Sequence, residues 1–427
     1  MDDVVTSFVD SNLVEQEDAL EFVKLMIENK GFYKSNYIKE IITNEEIFLR
    51  DDSLELAKII ASAKGEDQSE YATYAIISTD ILENEDALEI ISLIANANKP
   101  YQANFASDAI SDYNVAIRKE ALELVKIIVS AKEKYQAEYA YRLTSVTDVL
   151  EHPQVLDIVK IVSESKSETH ASYAEKVAKN PLLLQRRDVL KIIESVANAK
   201  GMVHAGSAKL VALDRDLYKS PNLEQFVSTV ANCEKDYQAS NASCIARSLV
   251  TKDHEDVLNI LRIIANSKGA KQADLASSLA LTPQILQRED NLEIIEIIAN
   301  IVDEYIAIYT RDVAWNEKIL KKQDALSYIK TVASSSNAET ALKALNYIDG
   351  VSSEFLRLSD VQRITDRNSM NNHLFNLKYK SAIRNNYEEK EIYTVMSNKS
   401  IDTIIAVLSN TKEQEITQTT KVKVKKQ

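Results

Sequence analysis

Tyr101-Gln102-Ala103 returns as Tyr135-Gln136-Ala137 and again as Tyr237-Gln238-Ala239. The three glutamines share a grid of step 34 with Gln68 and Gln272, and His170 and His204 fill the two rungs left between them. Lys34, Ile306 and Thr340 extend the grid to ten rungs. Other columns keep the same step. A leucine ladder runs Leu20, Leu54, Leu88, Leu122, Leu156, Leu190, Leu258, Leu292 and Leu326, broken only at Glu224. One alanine column holds Ala103, Ala137, Ala171, Ala205, Ala239, Ala273, Ala307 and Ala341, and another holds Ala72, Ala106, Ala140, Ala174, Ala208, Ala242, Ala276 and Ala344. Tyr37, Tyr71, Phe105, Tyr139 and Tyr173 form an aromatic column. Several columns held in register over ten periods are the mark of a tandem structural repeat.

Each period carries two helical patterns. Leu88, Ile91 and Ala95, widened by Ile90 and Ile94, make the apolar stripe of a first helix, and Ala103, Ala106 and Ile110 that of a second. The acidic pairs Glu85-Asp86, Glu255-Asp256 and Glu289-Asp290 are expected to cap the first helix, and Lys64-Gly65, Lys200-Gly201 and Lys268-Gly269 to close it. A single hairpin of this kind cannot bury its apolar face, whereas a stack of them makes a continuous core. The expected fold is therefore all-α: a right-handed α-solenoid of about ten two-helix repeats over residues 17–350. Residues 1–16 are expected to be an N-terminal cap, 351–410 a helical C-terminal cap, and 411–427 a flexible basic tail.

The composition agrees. Only 6 glycines and 5 prolines occur in 427 residues, too few for the turns of an all-β sandwich. Hydrophobic residues make up 45%, enough for a large core. The start, Met1-Asp2-Asp3-Val4-Val5, lacks the basic and apolar regions of a secretory signal, and the apolar run Ile294–Val302 is broken by Glu296 and Asn300. No window reaches the ~18–20 apolar residues of a membrane span. A cytoplasmic protein without membrane association is expected, and the two cysteines, Cys233 and Cys244, suit a reducing compartment. The net charge of −14 disfavours generic binding to nucleic acid, although a local basic stripe is compatible with it.

Two repeat families resemble this chain. The paired small residues Ala273 with Ala280, and Ala239 with Ala246, resemble those in the second helix of tetratricopeptide repeats; that family's Trp, Leu-Gly and terminal Pro positions are not matched. The stretch Ile264-Ala265-Asn266-Ser267-Lys268-Gly269-Ala270-Lys271-Gln272-Ala273 resembles the base-reading region of transcription-activator-like effector repeats. That resemblance implies DNA binding, with the variable pair on Ser267-Lys268 and, in other repeats, on Ala63-Lys64, Ala97-Asn98, Ala131-Lys132, Ser165-Lys166, Ala199-Lys200 and Cys233-Glu234. The family's Gly-Gly pair is missing, and its phosphate-facing lysine has a counterpart only at Lys271.

No phosphate-loop, dinucleotide, zinc-protease or paired-cysteine motif occurs, so neither a catalytic residue, a metal site nor a cofactor is expected. His170 and His204 are read as substitutes for glutamine. Glu21, Glu55, Glu89, Glu123, Asp157 and Glu293, with Lys24, Lys58, Lys126, Lys160 and Arg262 three residues on from some of these columns, are read as a solvated, ion-paired face. Near the end of each first helix stand Asn96, Asn198, Asn232, Asn266 and Asn300, followed by a lysine column that includes Lys132, Lys166, Lys200 and Lys268. This is helix-end chemistry, since Asn favours turns and Lys suits the negative end of the helix dipole. It is also a ladder with one donor and acceptor group per repeat, suited to an extended peptide backbone, with lysines to attract acidic groups or phosphates. These nine residues are the candidate partner-binding set. The expected function is a non-catalytic scaffold for a protein or peptide partner; the alternative is DNA binding by effector-like repeats.

Overall fold

The computed structural model describes residues 19–29, 33–78 and 80–366, and every regular element among them is helical. The chain divides into two compact units, Met1–Asn232 and Cys233–Gln427. In the first unit, helices Ala19–Glu28, Ser53–Ser62, Ala87–Ala95, Ala121–Ser130, Val155–Ser163, Val189–Ala197 and Leu223–Ala231 alternate with Lys34–Thr43, Glu66–Ile77, Pro100–Ile110, Lys134–Thr144, Glu168–Ala178 and Met202–Ala212. In the second, Asp236–Arg247, Ala270–Ala280, Glu304–Trp315 and Ala338–Gly350 alternate with Val257–Ala265, Asn291–Asn300 and Ala325–Ala333. Within each unit, first helices pack on the next first helix, second helices on the next second helix, and each second helix on the first helix that follows it. This is solenoid-like packing, in which each layer buries its apolar face against its neighbours.

The alanine columns lie in the buried interior. Every member of both columns, from Ala72 and Ala103 to Ala341 and Ala344, is fully buried. The leucine ladder is different. Leu88, Leu122, Leu156, Leu190, Leu258 and Leu292 are only half-buried, and Leu20 is 66% exposed. The core stripe lies two, three and six residues further on, at Ile90, Ile91 and Ile94, or Ile260, Leu261 and Ile264, all fully buried. The leucines sit in the first turn, at the rim of the stripe.

Each helix pair is commonly followed by a third, one-turn segment, absent from the two-helix expectation. Examples are Glu45–Phe48, Tyr113–Ala116, Thr147–Leu150, Pro181–Leu184 and Pro283–Leu286. Asn44, Asp112 and Asn180 accept backbone N–H bonds at the starts of three of them, and each segment buries an apolar pair such as Leu183 and Leu184. The acidic residues that precede the first helices do not cap them. Asp86, Asp188, Asp256 and Asp290 make no side-chain capping bond. Arg186 and Arg288 instead hold Asp188 and Asp290 by paired hydrogen bonds across two residues. The glycines also differ from expectation. First helices end at Ser62, Ala197 and Ala265, and Gly65, Gly201 and Gly269 occupy the N-cap of the second helix in extended backbone, with φ of −157°, −154° and −151°.

In the second unit, Leu358–Thr365 packs on Ala325–Ala333 and Ala338–Gly350. Tyr328 donates its hydroxyl to the Leu356 carbonyl at 3.1 Å, and Tyr347 donates to Asp360 Oδ2 at 3.0 Å. The remainder of the expected C-terminal cap, the expected N-terminal cap 1–16 and the basic tail 411–427 lie outside the described residues.

Candidate functional site

The glutamine grid is a hydrogen-bond ladder between successive layers. Gln102 accepts the Lys99 N–H on Oε1 at 2.8 Å and donates from Nε2 to the Ala131 carbonyl at 2.6 Å. Gln238 repeats this with the Lys235 N–H and the Ser267 carbonyl, both at 2.8 Å. One amide thus caps its own helix and ties down the loop of the next layer. Gln68 donates to the Ala97 carbonyl at 3.2 Å, and Lys34 reaches the Ala63 carbonyl at 2.6 Å. His170 does the glutamine's work with two ring nitrogens: Nε2 lies 3.2 Å from the Ala199 carbonyl, and Nδ1 lies 2.7 Å from Ser167 Oγ. Burial pushes the His170 ring below its ordinary pKa, against the bond to Ala199, and the charge of Lys166 adds to the lowering. Gly65 and Gly269 leave room for this reach, because a Cβ there would collide with the amide oxygens of Gln68 and Gln272.

A second ladder runs beside the one-turn segments, and the sequence reading passed over it. Asn84 donates to the Ala116 and Arg118 carbonyls at 2.7 and 3.0 Å. Arg186 donates to the Tyr218 and Ser220 carbonyls, and Arg288 to that of Leu320. His152 and His254 place Nε2 at 3.1 and 3.2 Å from the Leu184 and Leu286 carbonyls. The signal was present as a column of Asn, Arg and His with Asp or Glu two residues on at Asn84, Arg186, His254 and Arg288, and Gln154 two residues on at His152. Among the described residues no group of three or more His, Cys, Asp or Glu is placed to hold a metal ion, and His152, His170 and His254 sit at these interlayer contacts.

All nine candidate partner-binding residues are exposed. Four of the asparagines turn their amide N–H back to their own helix: Asn96 to Ser92, Asn232 to Ser228, Asn266 to Arg262 and Asn300 to Glu296, at 2.8–3.0 Å. Their donor side therefore serves the helix end. The Asn198 backbone carbonyl accepts Lys166 Nζ at 2.6 Å, and Lys166 also reaches the Ala199 carbonyl at 3.1 Å. The backbone N–H groups of Lys200 and Lys268 donate to the Ala231 and Ala299 carbonyls at 3.0 and 2.9 Å, pinning each loop to the next first helix. In the would-be base-reading pairs, the first members Ala63, Ala97, Ala131, Ala199 and Ser267 are buried, and their carbonyls accept the interlayer bonds.

Two cavities open along this edge, one in each unit. The first, of about 370 Å³, is lined by residues that include Ile127, Ser130, Lys132, Gln136, Lys160 and Glu164. The second, of about 500 Å³, is lined by residues that include Ile297, Asn300, Val302, Ile306, Lys330 and Ser334. These lining positions correspond one to one, five steps of 34 apart. Each lies between the end of one first helix and the next, beside the start of the second helix. Of the nine candidates, Lys132 lines the first cavity and Asn300 the second, whereas Asn96, Asn198, Asn232, Asn266, Lys166, Lys200 and Lys268 lie outside both. The chemistry differs: Lys132 and Gln136 make the first polar, while Val302, 85% exposed, and Ile306 make the second apolar. Tyrosines flank the edge. Tyr101 donates to the Lys132 carbonyl at 2.8 Å and Tyr135 to that of Ser165 at 3.4 Å. No family model matches the chain, and no curated protein or solved structure matches it.

Proposed function

We propose that the chain is a non-catalytic scaffold that binds an extended polypeptide along the edge where first helices end and second helices begin. The supporting observation is the pair of cavities in identical register, one polar and one apolar. Each cavity lies between consecutive layers of its own unit, on the edge where an extended ligand would present its side chains one after another. Lys132 and Lys160 suit an acidic side chain at the first cavity; Val302, Ile301 and Ile306 suit an apolar one at the second. The same proposal includes the finer architecture, a right-handed solenoid of about ten 34-residue repeats; the interlayer bonds across 29 to 34 residues support its spacing. Burial of the first residue of each variable pair favours a polypeptide over a DNA duplex as ligand.

The test is selection from a random peptide display library on the full chain, followed by fluorescence anisotropy of the selected peptides. Lys132→Glu with Lys160→Glu is expected to weaken acidic peptides about tenfold or more at low salt and less in physiological buffer, where exposed charges are screened over ~8 Å. Val302→Asp is expected to weaken peptides with an apolar anchor at any ionic strength. Random duplex DNA serves as comparison: steep salt-dependent DNA affinity with no selectable peptide would replace this reading with the nucleic-acid one.

A further inference from the structure

The aromatic column on the second helices of the first unit shows, within one molecule, what its rings accept. Arg142 stands over the Tyr139 ring with its guanidinium carbon 5.2 Å from the centroid. Lys209 stands over the Tyr173 ring at 4.6 Å. Tyr141 stacks on Phe105 at 5.8 Å between centroids. These covers come from two register positions. One lies three residues after the ring, as Arg142 does; the other lies 36 residues after it, as Lys209 and Tyr141 do. At Tyr37 those positions hold Glu40 and Thr73, and at Tyr71 they hold Tyr74 and Ser107. Thr73 and Ser107 are short and buried, and their hydroxyls are bonded to the Ser69 and Tyr71 carbonyls. Among the described residues neither a cation nor a ring covers Tyr37 or Tyr71.

The charge around these two rungs is of one sign. Glu40, Glu70 and Asp108 surround them, and among the described residues none of the three forms an ion pair with Lys or Arg. Three repeats on, the equivalent face is self-neutralised: Arg142 and Lys179 both reach Glu175, at 3.5 and 2.7 Å. Burial and then the charge of Glu70 raise the Glu40 carboxyl above its ordinary range. Burial, followed by Glu70, Tyr74, Glu66 and Glu40, pushes the Tyr37 hydroxyl up to about 12. Among the described residues a cation is what this surface lacks and what the Tyr139 and Tyr173 rungs hold.

We propose that the second-helix face around Tyr37 and Tyr71 binds a basic polypeptide segment whose arginine or lysine side chains cover the two open rungs. Packed helices lie ~8–10 Å apart, so the rungs repeat at about that distance. A polyproline II segment returns to the same face every third residue, ~9 Å on, so basic residues at i and i+3 match the rungs. Cations over aromatic faces, flanked by carboxylates, gain both ring attraction and charge complementarity. This surface is separate from the edge cavities, and the two readings stand or fall independently.

The probe is a fluorescein-labelled peptide with arginine at every third position between prolines, titrated against the full chain by anisotropy; its twin carries citrulline in place of arginine. Saturable binding of the arginine peptide is expected, with the twin at least about tenfold weaker. Glu40→Arg places a cation at the position that Arg142 occupies and is expected to fill the Tyr37 rung from within, weakening the peptide about tenfold. Glu40→Gln should weaken it less than Glu40→Arg, and Tyr71→Leu about fivefold. Lys132→Glu with Lys160→Glu should leave it unchanged. Circular dichroism verifies the fold of each variant, and Glu40, being exposed, tolerates substitution. Equal binding of the citrulline twin, or unchanged affinity in both Glu40→Arg and Tyr71→Leu, would overturn the proposal. The latter result would reduce the effect to diffuse attraction by an acidic protein.

Discussion

Replacing Gln102 by methionine removes an amide while keeping the length of the side chain. Gln102 is 4% exposed and serves two backbone groups in different layers. Lys99 is exposed, so its N–H regains a water partner once Oε1 is gone, and the loss there is that of an N-cap, ~0.5–1 kcal/mol. Ala131 is 6% exposed, so its carbonyl is left largely without solvent, at a cost of ~1–3 kcal/mol. Gln102→Met should therefore destabilise the chain by ~1.5–4 kcal/mol. Urea unfolding followed by far-UV circular dichroism reads this as a lower midpoint. Hydrogen exchange at the 131–136 amides should rise before that of distant layers, because each layer holds only its neighbours. Gln102→His is the control, since His170 bridges Ser167 and Ala199 at the equivalent rung. It should lose less than half as much. A Gln102→Met protein within ~0.5 kcal/mol of the parent, or a Gln102→His protein as damaged as the methionine variant, would refute the ladder as a source of stability.

Ala171 is fully buried in the alanine column, so Ala171→Leu should overpack adjacent second helices and cost ~1–3 kcal/mol, visible as a lower thermal midpoint; an unchanged melt would contradict close packing there. The paired hydrogen bonds from Arg186 are the main reason that the Asp188 carboxyl lies below its ordinary range, burial acting in the opposite direction. Its folded pKa is thus depressed, so its contribution is complete above the unfolded carboxylate value of ~3.9 and is lost as pH falls through the lower folded value. Asp188→Asn should be less stable than the parent near neutral pH, with the difference shrinking below about pH 4; a gap independent of pH would show that the pair does not titrate with folding.

The two-helix alternation, the buried alanines and the substitution of His170 for glutamine were legible in the residues, because each follows from periodicity or from the size and bonding capacity of one side chain. Other features were not. The step of 34 marks equivalent positions without saying which face of a helix they occupy, so the leucine ladder read as core and proved to be rim. Asp86 and Asp256 looked like caps because they precede helices. In the related pairs Arg186–Asp188 and Arg288–Asp290, an arginine two residues back takes the carboxylate and extends its remaining donors to the next layer. Gly65 and Gly269 looked like helix ends, yet their value is the space they leave for Gln68 and Gln272.

For the candidate site, the sequence by itself determined that Asn and Lys recur on the 34-residue step near the ends of several first helices, since repetition is a property of the chain. Tertiary structure alone decided what they do there. Asn96, Asn232, Asn266 and Asn300 fold their amides onto their own helices, and the backbones of Lys200 and Lys268 are bonded into the next layer. Whether a rung opens into a cavity depends on the side chains of two adjacent layers at once, as with Lys132 and Lys160 or Val302 and Lys330. The same holds for the aromatic column, where the cation over Tyr173 comes from Lys209, a layer away. A side chain's neighbours across a helix interface are set by packing geometry, and no linear pattern along one repeat specifies them.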